Sequence, residues 1–365
     1  MSGVARAGAE DDRRSVSDRL LDRTPARLSG SPEFSRPRGF ARLRPGDRVA
    51  VIAPSGPVEP ARLTAGCAIL RDLGLEVTVG EHALDRVPLG PAPDGARHGW
   101  QRLAGRDADR AADLVEAWCD PRVRAVLCAR GGYGATRLLG LIDWDRIAEA
   151  SRGTAPKILH GSSDVTALHV AFGTRLGITT SFGPMAAGEL LTEGKGESDQ
   201  ALEHLQAVLF GPREPGRASQ VTGARVLRSG SAEGLLAGGT LALLAALLGT
   251  PDAPPPAAGR IVFLEDVSEA PYRIDRMLTQ LVQAGWFDGA AGVVLGPWHD
   301  CGDPAEIDSI VAGRLGPLGV PILAGLPVGH GPRQLTLELG APYRLDTDAL
   351  TLTASPLDEP TEGVR

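Results

Sequence analysis

The chain has no paired cysteines, no membrane-length apolar run and no surplus of positive charge, and each absence removes a class of function. Its four cysteines, Cys67, Cys119, Cys128 and Cys301, are scattered through 365 residues. They show neither the Cys-x-x-Cys spacing of a zinc framework nor the density of a disulfide scaffold. Cys128, inside an apolar segment, reads as a small core residue. No stretch approaches the ~20 uninterrupted apolar residues that span a bilayer. Leu235 to Leu248 is apolar but short and rich in Gly and Ala, which suits a buried helix better. A formal net charge of −7 offers no basic face to nucleic acid. The glycine-rich turn Arg130-Gly131-Gly132-Tyr133-Gly134 fits neither Gly-x-Gly-x-x-Gly nor the P-loop pattern, so a nucleotide site is not expected there. No His, Asp and Glu cluster has metal-ligand spacing, and neither a catalytic metal nor another cofactor is expected.

Hydrophobic residues make up 42% of the chain. With charges of both signs, that composition and length suit a well-buried core divided between two ordinary domains. Residues 1–40 mix Arg, Asp, Ser, Gly and Pro with only scattered apolar positions, and are expected to be a disordered extension. They hold no apolar core of the length a secretory signal needs, so a cytoplasmic address is expected.

From Leu43 onward the pattern alternates. Arg48 to Ala53 reads as a strand and Ala61 to Leu73 as a helix, with Leu63, Cys67, Leu70 and Leu73 at helical spacing and Gly74 placed to cap it. Glu76 to Val79 is a second strand, Asp107 to Cys119 a helix, and Ala125 to Ala129 a strand. Near-continuous apolar strands separated by helices predict a parallel sheet covered on both faces. Residues 41–190 form this first unit, and 191–230, polar and glycine-rich in places, read as a linker. In 231–358 a compact helix ends near Leu248 and an amphipathic helix runs from Arg273 to Ala284. Strands are expected at Ile261 to Asp266, Gly292 to Leu295, Pro321 to Leu326, Leu335 to Leu339 and Leu350 to Thr353. The last two suggest a small β-rich closure.

Three strand ends carry a hydroxyl, a carboxylate and an imidazole: Ser163, Glu265 and His330. These are the parts of an acyl-transfer triad, and strand ends open onto a crevice where remote segments can converge. Each has a plainer alternative. Ser162-Ser163-Asp164 is also a common helix cap, and Ser162 competes with Ser163 as nucleophile. Glu265 could pair with Arg273 or Arg276, while Asp266 and Glu269 are rival carboxylates. His330 could be a solvated loop histidine; His160 and His169 read as structural hydrogen-bonders. The Gly-x-Ser-x-Gly elbow is not met.

Taken together, Ala129 to Gly134, Gly161-Ser162-Ser163-Asp164-Val165-Thr166-Ala167-Leu168-His169, Phe263 to Val267, Pro271 to Leu278 and Gly329-His330 resemble the serine LD-carboxypeptidase family. That is the muramoyltetrapeptide carboxypeptidase group, which also contains the microcin self-immunity hydrolases. The resemblance runs from about residue 43 to about residue 355. It implies an α/β fold, with a Rossmann-like parallel-sheet N-terminal domain bearing nucleophile Ser163. A smaller β-rich C-terminal domain would bear base His330 and orienting Glu265. It also implies a homodimer without a metal, removing D-alanine from muropeptide tetrapeptides in peptidoglycan recycling. Two positions depart from the family pattern, which often has Asn at Thr240 and His at Phe182; the second bears on the substrate pocket.

On this reading the amides of Asp164 and of Gly131 and Gly132 are expected to hold an oxyanion. Arg130 and Arg273 are the candidates for the substrate α-carboxylate, which a guanidinium can grip with two bonds. The partner is a small muropeptide, with no nucleic acid and no membrane. The alternatives are a self-immunity peptidase acting on a peptidyl- or aminoacyl-nucleotide and a non-catalytic muropeptide-binding protein.

Overall fold

A computed structural model describes residues 37–90, 101–153, 155–194, 198–212, 218–220 and 224–355. The expected disordered extension lies outside these residues except for 37–40. Phe40 there is buried, and its amide donates to Thr179 Oγ1 at 3.2 Å.

In the first half, β1 (Arg48–Ile52) and β2 (Glu76–Val79) are followed by a short antiparallel ribbon, β3 (Val87–Pro88) with β4 (Gln101–Leu103). Then come β5 (Val123–Cys128), β6 (Ile158–Gly161) and β7 (Thr180–Phe182). Strands β2, β1, β5, β6 and β7 lie side by side, all parallel. Parallel neighbours need long crossovers, and helices Pro60–Asp72, Asp107–Cys119 and Thr166–Leu176 lie in them. Successive strand residues point to opposite faces. Ala50 and Ile52 therefore pack with Trp118 and Phe172 on one side, and Val49 and Val51 with Leu63 and Leu70 on the other. Two buried faces explain why these strands read as unbroken apolar runs.

The second half contains β8 (Ala218–Gln220), β9 (Arg225–Arg228), β10 (Ser231–Thr240), β11 (Arg260–Val267), β12 (Gly292–His299) and β13 (Ile322–Ala324). It ends with β14 (Leu337–Leu339), β15 (Pro342–Asp346) and β16 (Thr351–Ala354). Strands β10 to β13 form a second parallel layer. Antiparallel β15, β16 and β8 extend one edge, and β9 the other. This is the expected α/β fold, a parallel-sheet first half with a sheet-rich second half.

One strand crosses over. The sequence pattern groups Leu335 to Leu339 with Leu350 to Thr353 in one closure, yet β14 pairs antiparallel with β7 at the edge of the first sheet. Alternation identifies a strand but does not choose its neighbour. The crossing stitches the halves together. Leu337 lies opposite Phe182, whose ring meets Phe263 of β11 edge-on at 5.3 Å and 76°. Phe182 is fully buried in a cluster with Leu236, Phe263 and Leu337, so this position is packing rather than an open pocket wall. No helix of the described residues is long and apolar enough to cross a membrane.

Emptying that seam should be costly. Phe182→Ala is expected to lower the unfolding free energy by about 3–5 kcal/mol, and Phe182→Leu by less than about 1.5 kcal/mol. Urea denaturation of the two variants beside the parent measures both.

Candidate active site

Strand β6 is buried along its whole length and ends in a sharp reversal. Ser162 is extended (φ −148°, ψ −173°), and Ser163 then takes φ 60° as the first residue of a 3-10 turn over Ser163–Val165. A side chain held in the left-handed region costs of order 1–3 kcal/mol and persists only where its surroundings impose it. The helix Thr166–Leu176 follows directly. Geometrically this is a nucleophile elbow, with Gly161 on one side but Val165 where the usual pattern has its second glycine.

The capping alternative is not what the chain adopts. Ser162 occupies the cap position without a side-chain cap bond. Its hydroxyl is 3% exposed as a residue and accepts from Gln334 Nε2 at 3.1 Å. Of the two serines, Ser163 is the one that meets the histidine.

His330 Nε2 lies 3.0 Å from Ser163 Oγ. On the other edge of the ring, Nδ1 lies 2.7 Å from Glu265 Oε2, and the His330 backbone amide donates to the same oxygen at 2.9 Å. An ionised carboxylate only accepts, so Nδ1 carries the proton and Nε2 presents its lone pair to the hydroxyl. Glu265 is 0% exposed. Its second oxygen accepts from Thr240 Oγ1 at 2.5 Å. Backbone room is needed too: at Gly329, with φ +113°, an added Cβ would lie 2.5 Å from Glu265 Oε2. The pairings considered with Arg273 or Arg276 are not made by Glu265; Arg273 faces Glu269 at 3.5 Å.

Across the cleft, Gly131 touches the elbow. A Cβ there would sit 2.8 Å from Ser163 Cβ, 3.0 Å from its Oγ and 3.4 Å from the Asp164 amide nitrogen. Asp164, 2% exposed, turns its carboxylate away from the cleft. Its Oδ2 accepts from Ser55 Oγ at 2.6 Å and from the Ala135 amide at 2.7 Å. That one side chain joins the loop after β1 and the turn after β5 to the elbow. Behind it Arg110, fully buried, donates to the carbonyls of Pro54 and Gly105 and to Asp107.

The electrostatics follow from burial and partners. Burial works to lower the His330 pKa, but the hydrogen bond and charge of Glu265, with Asp266 behind, leave it above its usual 6.5. Burial raises the Asp164 pKa against the pull of Ser55, Ala135 and Arg110. His160 and His169 are held neutral by burial, each lowered to about 4. The former bonds Ser181 Oγ and the Pro184 carbonyl, the latter the Gly161 carbonyl, consistent with their structural reading.

The two candidate arginines differ in their settings. Arg130 is half-buried, donates from NH1 to the Pro57 carbonyl at 3.0 Å, and has NH2 beside Gly132. Arg273 is exposed and its contacts are to Glu269 and Tyr272 on its own helix and approach. Gly132 adjoins Gly56. Among the described residues, ligand atoms of His82, Asp85 and Asp109 gather within 4.8 Å, an assembly not visible as a spacing motif. Arg106 occupies both Asp109 oxygens there, at 2.6 and 3.0 Å. Ser55 and Gln334 gave no signal in the sequence, since one lies in a strand-stopping turn and the other in a loop.

Comparison with known proteins follows the same division. Residues 49–183 match the LD-carboxypeptidase N-terminal domain, and residues 233–345 the LD-carboxypeptidase C-terminal domain. A putative carboxypeptidase of Streptomyces coelicolor is 50% identical over 90% of this chain and 97% of its own length. The murein tetrapeptide carboxypeptidase of Pseudomonas aeruginosa is 32% identical over 87% of this chain and 99% of its own. The solved structure of a muramoyltetrapeptide carboxypeptidase from Oxalobacter formigenes superposes with a TM-score of 0.69 at 28% identity. It covers 86% of this chain and 100% of that one.

One buried acid near the cleft should report on pH. Burial, against the amides of Val267 and Ala242 and with Glu265 and Glu269 nearby, raises the Asp266 pKa from 3.8 to about 7. A raised carboxyl pKa means the folded state holds the proton more tightly. The stabilisation is complete below about pH 4 and is lost as pH rises through about 7. Relative to Asp266→Asn, the parent is expected to lose stability across that window in urea midpoints. A difference that stays flat from acid to neutral pH excludes the buried proton.

Proposed function

The chain belongs to the LD-carboxypeptidase family, and from that premise we propose that it is a metal-independent serine LD-carboxypeptidase. Its substrate would be a muropeptide tetrapeptide, cut between the diamino acid and the terminal D-alanine. The supporting observation is the continuous chain of contacts from Ser163 Oγ through both His330 nitrogens to Glu265.

In this mechanism Ser163 Oγ attacks the scissile carbonyl carbon while His330 Nε2 takes the hydroxyl proton. The carbonyl oxygen becomes an oxyanion, met by the amide of Asp164 and the Gly131-Gly132 turn; loss of one such donor typically costs ~3 kcal/mol of barrier. Glu265 stabilises the imidazolium without taking its proton. Collapse breaks the C–N bond, and His330 gives the proton to the departing D-alanine amine. Water then repeats the attack on the ester, with the same base, and Ser163 is restored. Arg130 is the better placed candidate for the substrate α-carboxylate, because it adjoins the Gly132 turn on the cleft side. We assign the nucleophile to a unit over 41–190 and the acid and base to one over 231–358, joined by 191–230. A cytoplasmic homodimer acting in peptidoglycan recycling completes this reading.

The test is mass-spectrometric detection of D-alanine released from a defined tetrapeptide, with and without chelator, beside an aminoacyl-sulfamoyl adenylate. Ser163→Ala is expected to abolish release. Glu265→Gln should lower kcat by ~10³–10⁴-fold with little change in KM. Because His330 must be neutral to act as base, kcat/KM should fall on the acid side at a pH above 6.5. Undiminished hydrolysis by Ser163→Ala removes this mechanism; turnover of the adenylate alone replaces the substrate.

A further inference from the structure

The least explained contact in the cleft is the one behind the acid. Thr240 is the last residue of β10 and lies directly across the parallel ladder from Glu265 of β11. Its hydroxyl donates to Glu265 Oε1 at 2.5 Å, the oxygen that His330 does not use. Its backbone amide donates to Thr166 Oγ1 at 3.1 Å. Thr166 opens the helix that follows the Ser163 turn. One residue therefore touches the acid with its side chain and the serine-bearing segment with its backbone.

The local sequence is shaped for this double contact. Gly238 and Gly239 precede Thr240 with φ +126° and +140°, values that side chains rarely adopt. A Cβ at Gly239 would lie 2.7 Å from Thr166 Oγ1, and one at Gly238 1.9 Å from the Phe263 carbonyl. The strand end is thus pressed against both halves at once. Next to it, Asp266 Oδ2 accepts the Ala242 amide at 2.8 Å, holding the start of the helix Leu241–Leu247.

We propose that Thr240 is a positioning residue for the acid–base pair, fixing the Glu265 carboxylate by its free oxygen and tying that oxygen to the elbow through Thr166. The proposal rests on the triad reading above. A carboxylate buried at 0% exposure tolerates no unsatisfied oxygen without cost. The hydroxyl satisfies Oε1 and draws charge away from Oε2, which keeps the carboxylate from holding the imidazolium proton too tightly. Without that donor His330 takes up its proton at higher pH. Asp266 is the further acid that acts on His330 and works in the same direction.

The test needs no knowledge of the natural substrate. A fluorophosphonate probe labels an activated serine, and its rate against pH reads the same general base; Ser163→Ala supplies the blank. Thr240→Val, nearly isosteric, is expected to slow labelling at neutral pH by ten-fold or more and to move the acid limb upward. Thr240→Ser should keep the parental limb. With tetrapeptide, the Val variant should lose kcat rather than gain KM. If Thr240→Val folds poorly, Thr240→Cys, a weaker donor of the same reach, gives the same comparison. A parental rate and limb in the Val or Cys variant overturns the proposal, as does equal slowing in Ser and Val with an unmoved limb, the mark of a merely structural role. Failure to release D-alanine while the probe still labels Ser163 counts against the substrate assignment and leaves this inference to be decided by the limb.

Discussion

A fully buried carboxylate sets the terms for the cleft. Glu265 sits at the carboxyl end of a central parallel strand with no access to solvent. Desolvating an anion there is costly unless every lone pair is used. The structure answers with donors from Thr240, the His330 amide and His330 Nδ1. Two of them come from the same residue, so satisfying the acid also orients the imidazole. Its far nitrogen has then little choice but to face the elbow. Ring orientation, tautomer and reach to Ser163 descend from one burial problem in the second sheet.

Holding Ser163 in place is a separate problem with its own solution. The left-handed turn is maintained by what surrounds it: Gly131 close against its side chain, Gln334 on Ser162, and the Asp164 carboxylate gripping Ser55 and Ala135. Of these contacts only Gln334 comes from the second half of the chain. The crossing strand β14 and the Phe182–Phe263 contact keep the halves in register. Distances near 3 Å across a seam demand such stitching, because a shift of about 1 Å between reacting groups can cost ~10²-fold in rate.

How much of this could be read beforehand depended on range. Strands such as Val49 to Ile52 and Ile261 to Leu264 were legible because burial on two faces writes continuous apolar runs. Helices Asp107–Cys119 and Pro271–Gln283 were legible from periodicity to within a residue or two. The serine, acid and histidine stood out as polar residues ending apolar strands. Pairing partners were not legible: Leu337–Leu339 reads the same whether it joins one sheet or the other. Strands β8 and β9, inside the stretch read as a linker, carry too little pattern of their own. Thr240 illustrates the limit best. As a letter it was a departure from the family pattern; its contact with Glu265 exists only because β10 and β11 are neighbours.

The arrangement also separates two tasks that a single mutation often confuses. In the proposed mechanism, groups around Glu265 govern the proton: they decide when His330 is neutral and how firmly it holds what it takes from Ser163. There the groups around Asp164 govern the oxyanion side, since that carboxylate joins the Gly131–Ala135 turn and the loop at Ser55 to the elbow. In the proposed mechanism, weakening the first set changes the pH at which the serine is activated. Disturbing the second changes how well the tetrahedral state is held once it forms. Each set lies mainly in its own half, so the seam is where proton transfer and oxyanion stabilisation must be brought into step. This gives a physical reason for dividing the proposed triad between two sheets: each half can satisfy its own buried charge, and the Ser163–His330 contact joins them, flanked by the Gln334–Ser162 and Thr240–Thr166 bonds.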